Sequence, residues 1–503
     1  MESTSKRRRN AKIGYHIFGT AASSPVIGDH RQRKGPGFPT SYPRRVFMRH
    51  KNTSPFIVLT GLLVGLGGVM LLLRGVQAQA RVVSTTPTGH DFLDPAFGSG
   101  GRVIIPISGT NQIAREVAIQ PDGKVIVVGY DNWRSAERDN IVLARVNPDG
   151  TLDTGFGTDG VVTTSLSSED DAGYAVAVQP DGKIVVAGSS NGAAFVARYK
   201  TDGRLDTNFG SSGMVTTTLP SVHSWFLGVA VLDDGRIVAG GSIATTPAAF
   251  LLARYQSNGT PDTTLGGSGF VTTTIPGNNA YGWDIAIQPD GKVLLAGYST
   301  SSGNQGGFAL ARYNLDGTLD GGFGTGGIVT QSLGATIDYA YSVNVQSDEK
   351  IVIGGQTEQK TGALARYNAD GSYDNTFGAV AGRNYVTTTI PGYASVVFIE
   401  TTLQADDSIV AATRMSGGPP AVGITVFDPD GLPKTALGPN GVITTTNEGH
   451  GASTYALLTQ PDGKIVLAGH VDFDDSGEFA YDMALWRYDL SVKARIYLPL
   501  VTR

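Results

Sequence analysis

Gln179-Pro180-Asp181-Gly182-Lys183-Ile184-Val185-Val186-Ala187-Gly188 decides the fold of this chain. Pro presets one turn dihedral and Gly accepts positive φ, so Pro-Asp-Gly reads as a tight corner between two strands. The run that follows is apolar at successive positions instead of alternating, which marks a strand packed on both faces. The phrase returns at 120–124, 288–292 and 460–464, with weaker copies at 232–236, 346–350 and 404–408. Its aspartates fall at 122, 181, 234, 290, 348, 406 and 462, a period of 53 to 59 residues.

Outward from the turn, a second phrase keeps the same period: Leu143-Ala144-Arg145, then Asn147-Pro148-Asp149-Gly150, Leu152-Asp153 and Phe156-Gly157. Clear echoes begin at Val196, Leu252, Leu310 and Leu364. Each unit holds four short runs rich in Val, Ile, Thr and aromatics. In the second unit these are 174–178, 184–187 and 195–199, with 161–166 as the outer strand of the unit before it. No helical period of useful length intervenes. Seven units of four antiparallel strands predict an all-β, seven-bladed β-propeller over 92–490. The chain enters with Leu93-Asp94, Phe97-Gly98 and the run 103–106, the tail of a unit without its head. It leaves through Leu485-Trp486-Arg487-Tyr488, a head without its tail. The N-terminal strand is therefore expected to complete the last blade and remove the free edges; an open solenoid is the other arrangement such repeats allow.

QPDGKIVVAG, LARYNxDGTLDxxFG and the GxVTT strand resemble the delta-60 repeat, a propeller repeat of exported bacterial proteins, across nearly all of 92–489. The resemblance implies a propeller and no assigned chemistry. Repeat six departs most, with Val426-Phe427 in place of Ala-Arg and Leu437-Gly438 in place of Phe-Gly. The ending Arg495-Ile496-Tyr497-Leu498-Pro499-Leu500, in a C-terminal tail over 491–503, is similar to short tails of exported proteins of filamentous green bacteria.

The 68 Gly and 24 Pro fit a turn-dense chain, and 40% apolar residues suffice for a packed core. The absence of Cys rules out disulfides, a Cys–zinc site and a Cys nucleophile. Residues 1–51 carry twelve Lys and Arg against Glu2 and Asp29, whereas 26 basic residues face 42 acidic ones from Arg81 onward. An acidic body argues against a nucleic-acid surface. The run 55–73 has no charge, follows Arg49 and Lys51, and precedes Ala78-Gln79-Ala80, the layout of a signal peptide over 48–80 or of an uncleaved membrane anchor. Residues 1–47 form a basic tail, with Met48 an alternative start, and 81–91 a linker. A secreted or cell-surface monomer is expected, touching membrane only through the N-terminal segment.

The repeated acids and bases read as scaffold. Asp in each Pro-Asp-Gly corner caps nearby amides. Arg145, Arg198, Arg254, Arg312 and Arg366 stand eight residues before Asp153, Asp206, Asp262, Asp320 and Asp374, and Arg487 recurs in the last unit, the spacing of a repeated ion pair. Function is expected where repeats differ, on the face of the variable loops. These loops bring Trp133, Trp225 and Trp283, with Tyr281, His223, His450 and His470 nearby, types that suit sugar or protein recognition. On the first strand of each unit, Ala118, Ala177, Ala230, Ala286, Asn344, Thr402 and Leu458 share one register. Two residues earlier stand Glu116, Ala175, Gly228, Asp284, Ser342, Glu400 and Ala456. Glu116, Asp284 and Glu400, with Ser342 and Asn344, are thus expected to face the central channel, as a ligand or cation site, an acid/base set, or plain channel lining. Asp472, Asp474 and Ser476 match early positions of a calcium loop. Met483 stands where an EF-hand needs Glu, leaving a looser Ca2+ site or a soluble loop. No catalytic residue is assigned.

Three function classes stay open: a non-catalytic binding or scaffold module for an extracellular glycan or protein, a hydrolase or lyase acting on a sugar or ester at the channel mouth, and a structural surface component. Cleavage after Ala80 predicts an exported chain whose first residue, by N-terminal sequencing, lies near Arg81; a membrane-bound chain retaining 55–73 would establish the anchor instead.

Overall fold

In the computed structural model the described residues run from 92 to 491, apart from 108–110, 132–137, 218, 220–221, 302, 304, 335, 379, 381, 448–449 and 473–480. The chain divides into 1–81 and a second unit from 82 onward. The expected basic tail, signal segment, linker and C-terminal tail beyond 491 lie outside the described residues. Among the described residues no helix is long and apolar enough to cross a membrane.

Seven four-stranded antiparallel sheets make up the body. Blade one comprises Ile113–Ile119, Val125–Tyr130, Ile141–Val146 and Val161–Thr164, and five further blades repeat this order. Blade seven takes Gly451–Thr459, Ile465–Asp472 and Tyr481–Tyr488 from the C-terminal side, and Arg102–Ile105 from the N-terminal side as its outer strand. Arg102 stands opposite Trp486 and Ile105 opposite Met483, so the ring closes as the half-units at the two ends predict. The second strand is buried at every position in blade one, as its unbroken apolar run requires of a sheet covered on both faces.

The corners behave as turn chemistry demands. In all seven, the Asp carboxylate accepts the backbone N–H two residues on, at 3.0 to 3.2 Å. Repeats five and six lack the Gly, and Glu349 and Asp407 take its positive φ, at 65° and 60°.

The repeated arginines seal the blade junctions. Arg145, Arg198, Arg254, Arg312 and Arg366 each bind the Asp eight residues on, at 2.6 to 2.9 Å. Each also donates to a backbone carbonyl of the next blade: Thr201, Ser257, Leu315, Ala369 and Pro429 respectively. Four of these guanidinium groups lie 4.4 to 4.8 Å from the ring of the repeat's Phe, at 156, 209, 323 and 377. The pair is therefore internal to a blade and the further hydrogen bond crosses between blades. Arg487 does the same with parts from both chain ends: it binds Asp94 at 2.8 Å, donates to the Pro148 carbonyl at 2.6 Å and lies 4.3 Å from the Phe97 ring. For Asp262, burial pushes the carboxyl up. Hydrogen bonds from Thr264, Arg236 and Arg254 outweigh that and hold it well below the usual range.

One assignment in repeat six is corrected by the register. Val426 pairs with Val410 as Arg145 pairs with Ile126, so Thr425-Val426, and not Val426-Phe427, occupy the Ala-Arg positions.

Arg487 is 5% exposed and Asp94 also 5%, so removing the guanidinium strands a buried carboxylate. Arg487→Ala is expected to destabilise the propeller by about 3–5 kcal/mol, read by denaturant unfolding. A loss below about 1 kcal/mol would mean that the closing pair behaves like an exposed one.

Candidate functional site

The first strands of successive blades adjoin one another around a closed ring, from blade one to blade seven and back, and line the central channel. Every first strand runs from the variable-loop face toward its corner, and every one is interrupted by a β-bulge at the same place. The residue left without a cross-strand partner is Arg115, Tyr174, Leu227, Trp283, Tyr341, Ile399 or Tyr455. A bulge puts an extra side chain beside its neighbour and bends the strand. Each blade thus offers two functional positions at the mouth: the bulged residue and, directly after it, the register holding Glu116, Asp284 and Glu400.

These three carboxylates converge closely enough to repel one another, and each is enclosed by protein while keeping part of its surface open to the channel. Burial pushes Glu116 up to about 8; the Val117 N–H and the Arg115 charge pull it down, and Asp284 pushes it further up. Burial pushes Asp284 up to about 7, against N–H donors from Val343 in the next blade at 2.8 Å and Ile285 at 2.7 Å. Glu400 rises well above the ordinary range through burial first, then through Asp284 and Glu116; the Thr401 N–H opposes. Near neutral pH the cluster therefore holds protons, and a protonated carboxyl both donates and accepts hydrogen bonds.

Ser342 and Asn344 stand at the expected registers but turn to the neighbouring blade. Ser342 Oγ lies 2.7 Å from Thr401 Oγ1, and Asn344 Nδ2 donates to the Thr401 carbonyl at 2.8 Å and to its hydroxyl at 2.9 Å. They clasp blades five and six together. Trp133, Asp474 and Ser476 lie outside the described residues, and Asp472 pairs opposite Gly451 and Tyr481 at a strand end. Among the described residues no three His, Asp or Glu side chains are placed to hold a metal ion.

Above the carboxylates lies a belt of rings and guanidinium groups. Arg115 lies 5.6 Å from the Tyr174 ring and 5.1 Å from that of Tyr455, and Arg414 lies 5.7 Å from Tyr455. Tyr174 meets Tyr130 edge-on at 5.9 Å. On the other side, Tyr341 meets Trp283 at 4.9 Å and Tyr339 at 6.3 Å. Tyr339 meets Tyr298 at 4.8 Å, and Tyr298 stacks on Tyr281 at 5.1 Å. His470 is buried between Tyr455 and Tyr481, at 5.7 and 4.6 Å. Trp225, half-buried just before the bulge of blade three, makes none of these ring contacts. Burial raises the Tyr174 hydroxyl to about 12, despite the Arg115 charge, so this phenol stays neutral at ordinary pH.

Five segments, 120–156, 179–209, 232–265, 288–323 and 346–377, match the family described as "Domain of unknown function (DUF5122) beta-propeller". The chain is a β-propeller repeat protein. No curated protein matches it in sequence. Among solved structures the propeller is similar to virginiamycin B lyase from Staphylococcus aureus, at 13% identity over 76% of this chain and 98% of that one, with a TM-score of 0.44. It is also similar to a protein of unknown function from Dyadobacter fermentans (11%, 78% and 99%, TM-score 0.40) and to YCF48 bound to a D1 peptide (12%, 77% and 94%, TM-score 0.43). Nothing about this propeller's chemistry follows from those likenesses.

Strand alternation alone missed the belt, because the bulge places a second residue beside the one that alternation selects. The available signal was a large residue directly before the carboxylate register in five units: Arg115, Tyr174, Trp283, Tyr341 and Tyr455.

The raised carboxyls fix a pH dependence. Between the ordinary carboxylate range and the folded values of about 7 to 8, the folded propeller binds more protons than the unfolded chain. Stability from this cluster is full at acid pH and is lost as pH rises through those values. The wild type is expected to melt progressively lower from about pH 5 to about pH 8. A Glu116→Gln/Asp284→Asn/Glu400→Gln variant should show a flatter profile; equal slopes would mean that the three groups are freely solvated.

Proposed function

We propose that this propeller is an extracytoplasmic, non-catalytic binding module of the delta-60 repeat type, and that it takes a glycan across the variable-loop mouth of its channel. One observation carries the reading: Tyr281, Tyr298, Tyr339, Tyr341 and Trp283 form a continuous run of rings over the carboxylate cluster. Tyr341 is buried and backs the run, whereas Tyr281, Trp283, Tyr298 and Tyr339 are half-buried. Such aromatic faces cover the apolar C–H surface of a sugar, while neighbouring polar groups take its hydroxyls. Carboxyls that hold protons near neutrality serve that purpose in both directions, as donors and as acceptors. The extracytoplasmic setting rests on the uncharged run 55–73 followed by Ala78-Gln79-Ala80.

The second reading, a hydrolase or lyase at the same mouth, draws on Glu116 and Asp284. Carboxyls pushed up to about 8 and about 7 lie where general acids and bases operate. The belt and the cluster separate the two readings. On a glycan array followed by titration of the best hit, Trp283→Ala and Tyr339→Ala should each weaken binding about tenfold with little change in melting temperature. Glu116→Gln should leave the bound glycan intact and uncleaved, as in the wild type. Absence of any glycan binding, or binding indifferent to both ring truncations, would sink the binding proposal; turnover abolished by Glu116→Gln would establish the enzyme.

A further inference from the structure

Six blade junctions are sealed by an arginine that binds an Asp of its own blade and a carbonyl of the next. The junction from blade six to blade seven lacks it. There Val426 takes the arginine position, Lys434 the Asp position and Leu437 the Phe position. The backbone repeats the pattern faithfully: Lys434 N–H donates to the Val426 carbonyl and Leu437 N–H to that of Lys434, as Asp153 does to Arg145 and Phe156 to Asp153. Lys434 turns away to Ser408 Oγ at 2.6 Å and the Asp406 carboxylate at 3.4 Å. What remains is a cavity of about 610 Å³, lined among others by Val426, Leu437 and Leu490 and by Asp428, Asp462 and Asp489.

Blade seven faces this space with an incomplete turn. Its Leu490 carbonyl stands where those of Pro148 and Pro429 accept a guanidinium N–H, and Val426 has no donor to offer it. In every other blade the chain continues from this turn into its own bridging segment, such as Leu152-Asp153 in blade one or Pro433-Lys434 in blade six. In blade seven that place is held by the N-terminal segment, with Leu93 bridged to Tyr488 and Asp94 N–H bound to the Arg487 carbonyl. Ser491, the last described residue, lines the cavity, so the sequence that follows starts at its rim.

We propose that this cavity is the docking site for the chain's own C-terminal segment from Val492, with Arg495 supplying the guanidinium that blade six lacks. Arg495 lies four residues beyond Ser491, within about 14 Å of extended chain. Three aspartates against one lysine give the cavity the complementary charge for Lys493 and Arg495. Five of the six sealed junctions show the rest of the chemistry: the guanidinium rests on a Phe ring, and Ile496 and Tyr497 would supply apolar surface against Val426 and Leu437.

The test compares the full chain with a variant ending at Ser491 and a variant carrying Val426→Arg with Lys434→Asp, which rebuilds the missing ion pair in place. Shortening is expected to lower the melting temperature by about 3 °C. A synthetic peptide of residues 492–503 should bind the shortened chain saturably in fluorescence anisotropy and bind the full chain about tenfold more weakly. Shortening the rebuilt variant should cost nothing, and the peptide should not bind it. If the rebuilt variant does not fold, Arg495→Gln in the full chain gives the deciding measurement, with most of the loss seen on shortening. A shortened chain that melts like the full chain and ignores the peptide overturns the proposal. So does peptide binding that the rebuilt pair or the Arg495→Gln peptide leaves unchanged.

Discussion

The buried guanidinium at six of the seven blade junctions is the constraint on which the rest of this propeller depends. A charge taken out of water is costly unless it is paired and its remaining hydrogen-bond donors are satisfied. Here one arginine meets every condition at once: a carboxylate in its own blade, a carbonyl in the next, and in most blades an aromatic ring beneath. Satisfying the second condition fixes where the next blade stands. Arg487 extends the rule to the seam, since its carboxylate and ring come from Asp94 and Phe97 at the other end of the chain. Closure is therefore enforced by charge as well as by the strand pairing of Arg102–Ile105 with Tyr481–Tyr488.

Because these nodes and the Pro-Asp-Gly corners all lie toward one face, the opposite face is released from scaffold duty. The bulge common to all seven first strands is the device that uses this freedom. It occurs in blades whose bulged residue is Leu227 or Ile399 as well as in those with Tyr or Trp, so the backbone feature belongs to the repeat and the side chain on it is the variable part. A mouth built this way can exchange its lining without disturbing the core, since strand two and strand three behind it are wholly buried in blades one, three and five.

The blade count, the strand order and the closure were legible because turn chemistry repeats visibly: Asp stands at every corner, with Gly at five of the seven and Pro at four, and the corner's backbone geometry does not vary among blades. The convergence of Glu116, Asp284 and Glu400 was legible for the same reason, as shared register on parallel copies of one strand. What alternation could not disclose was the bulge, which shifts register by one residue between two positions that look regular. The same one-residue ambiguity misplaced Val426. Ser342 and Asn344 were assigned to the right register, yet their partner Thr401 belongs to the next blade, and a contact across a junction has no signature in local spacing.

Repeat six shows how a charged node can be lost from such a ring. Replacing the arginine alone would leave a buried carboxylate without its counter-ion, and replacing the Asp alone would do the same to the guanidinium; either single change costs several kcal/mol. Blade six has neither residue. Val426 is fully buried, Lys434 reaches out to Ser408 and Asp406, and Leu437 stands in for the ring, so no ionised group is left stranded in the junction. The joint replacement keeps the blade's fold, as the intact backbone hydrogen bonds of Lys434 and Leu437 attest, while a cavity of about 610 Å³ opens beside Val426 and Leu437. A departure from the repeat that touches all three members of the node and leaves the strand pairing intact is what substitution under this electrostatic constraint requires, and it opens space at the junction where Leu490 borders the cavity and packs on the cluster that holds Phe92.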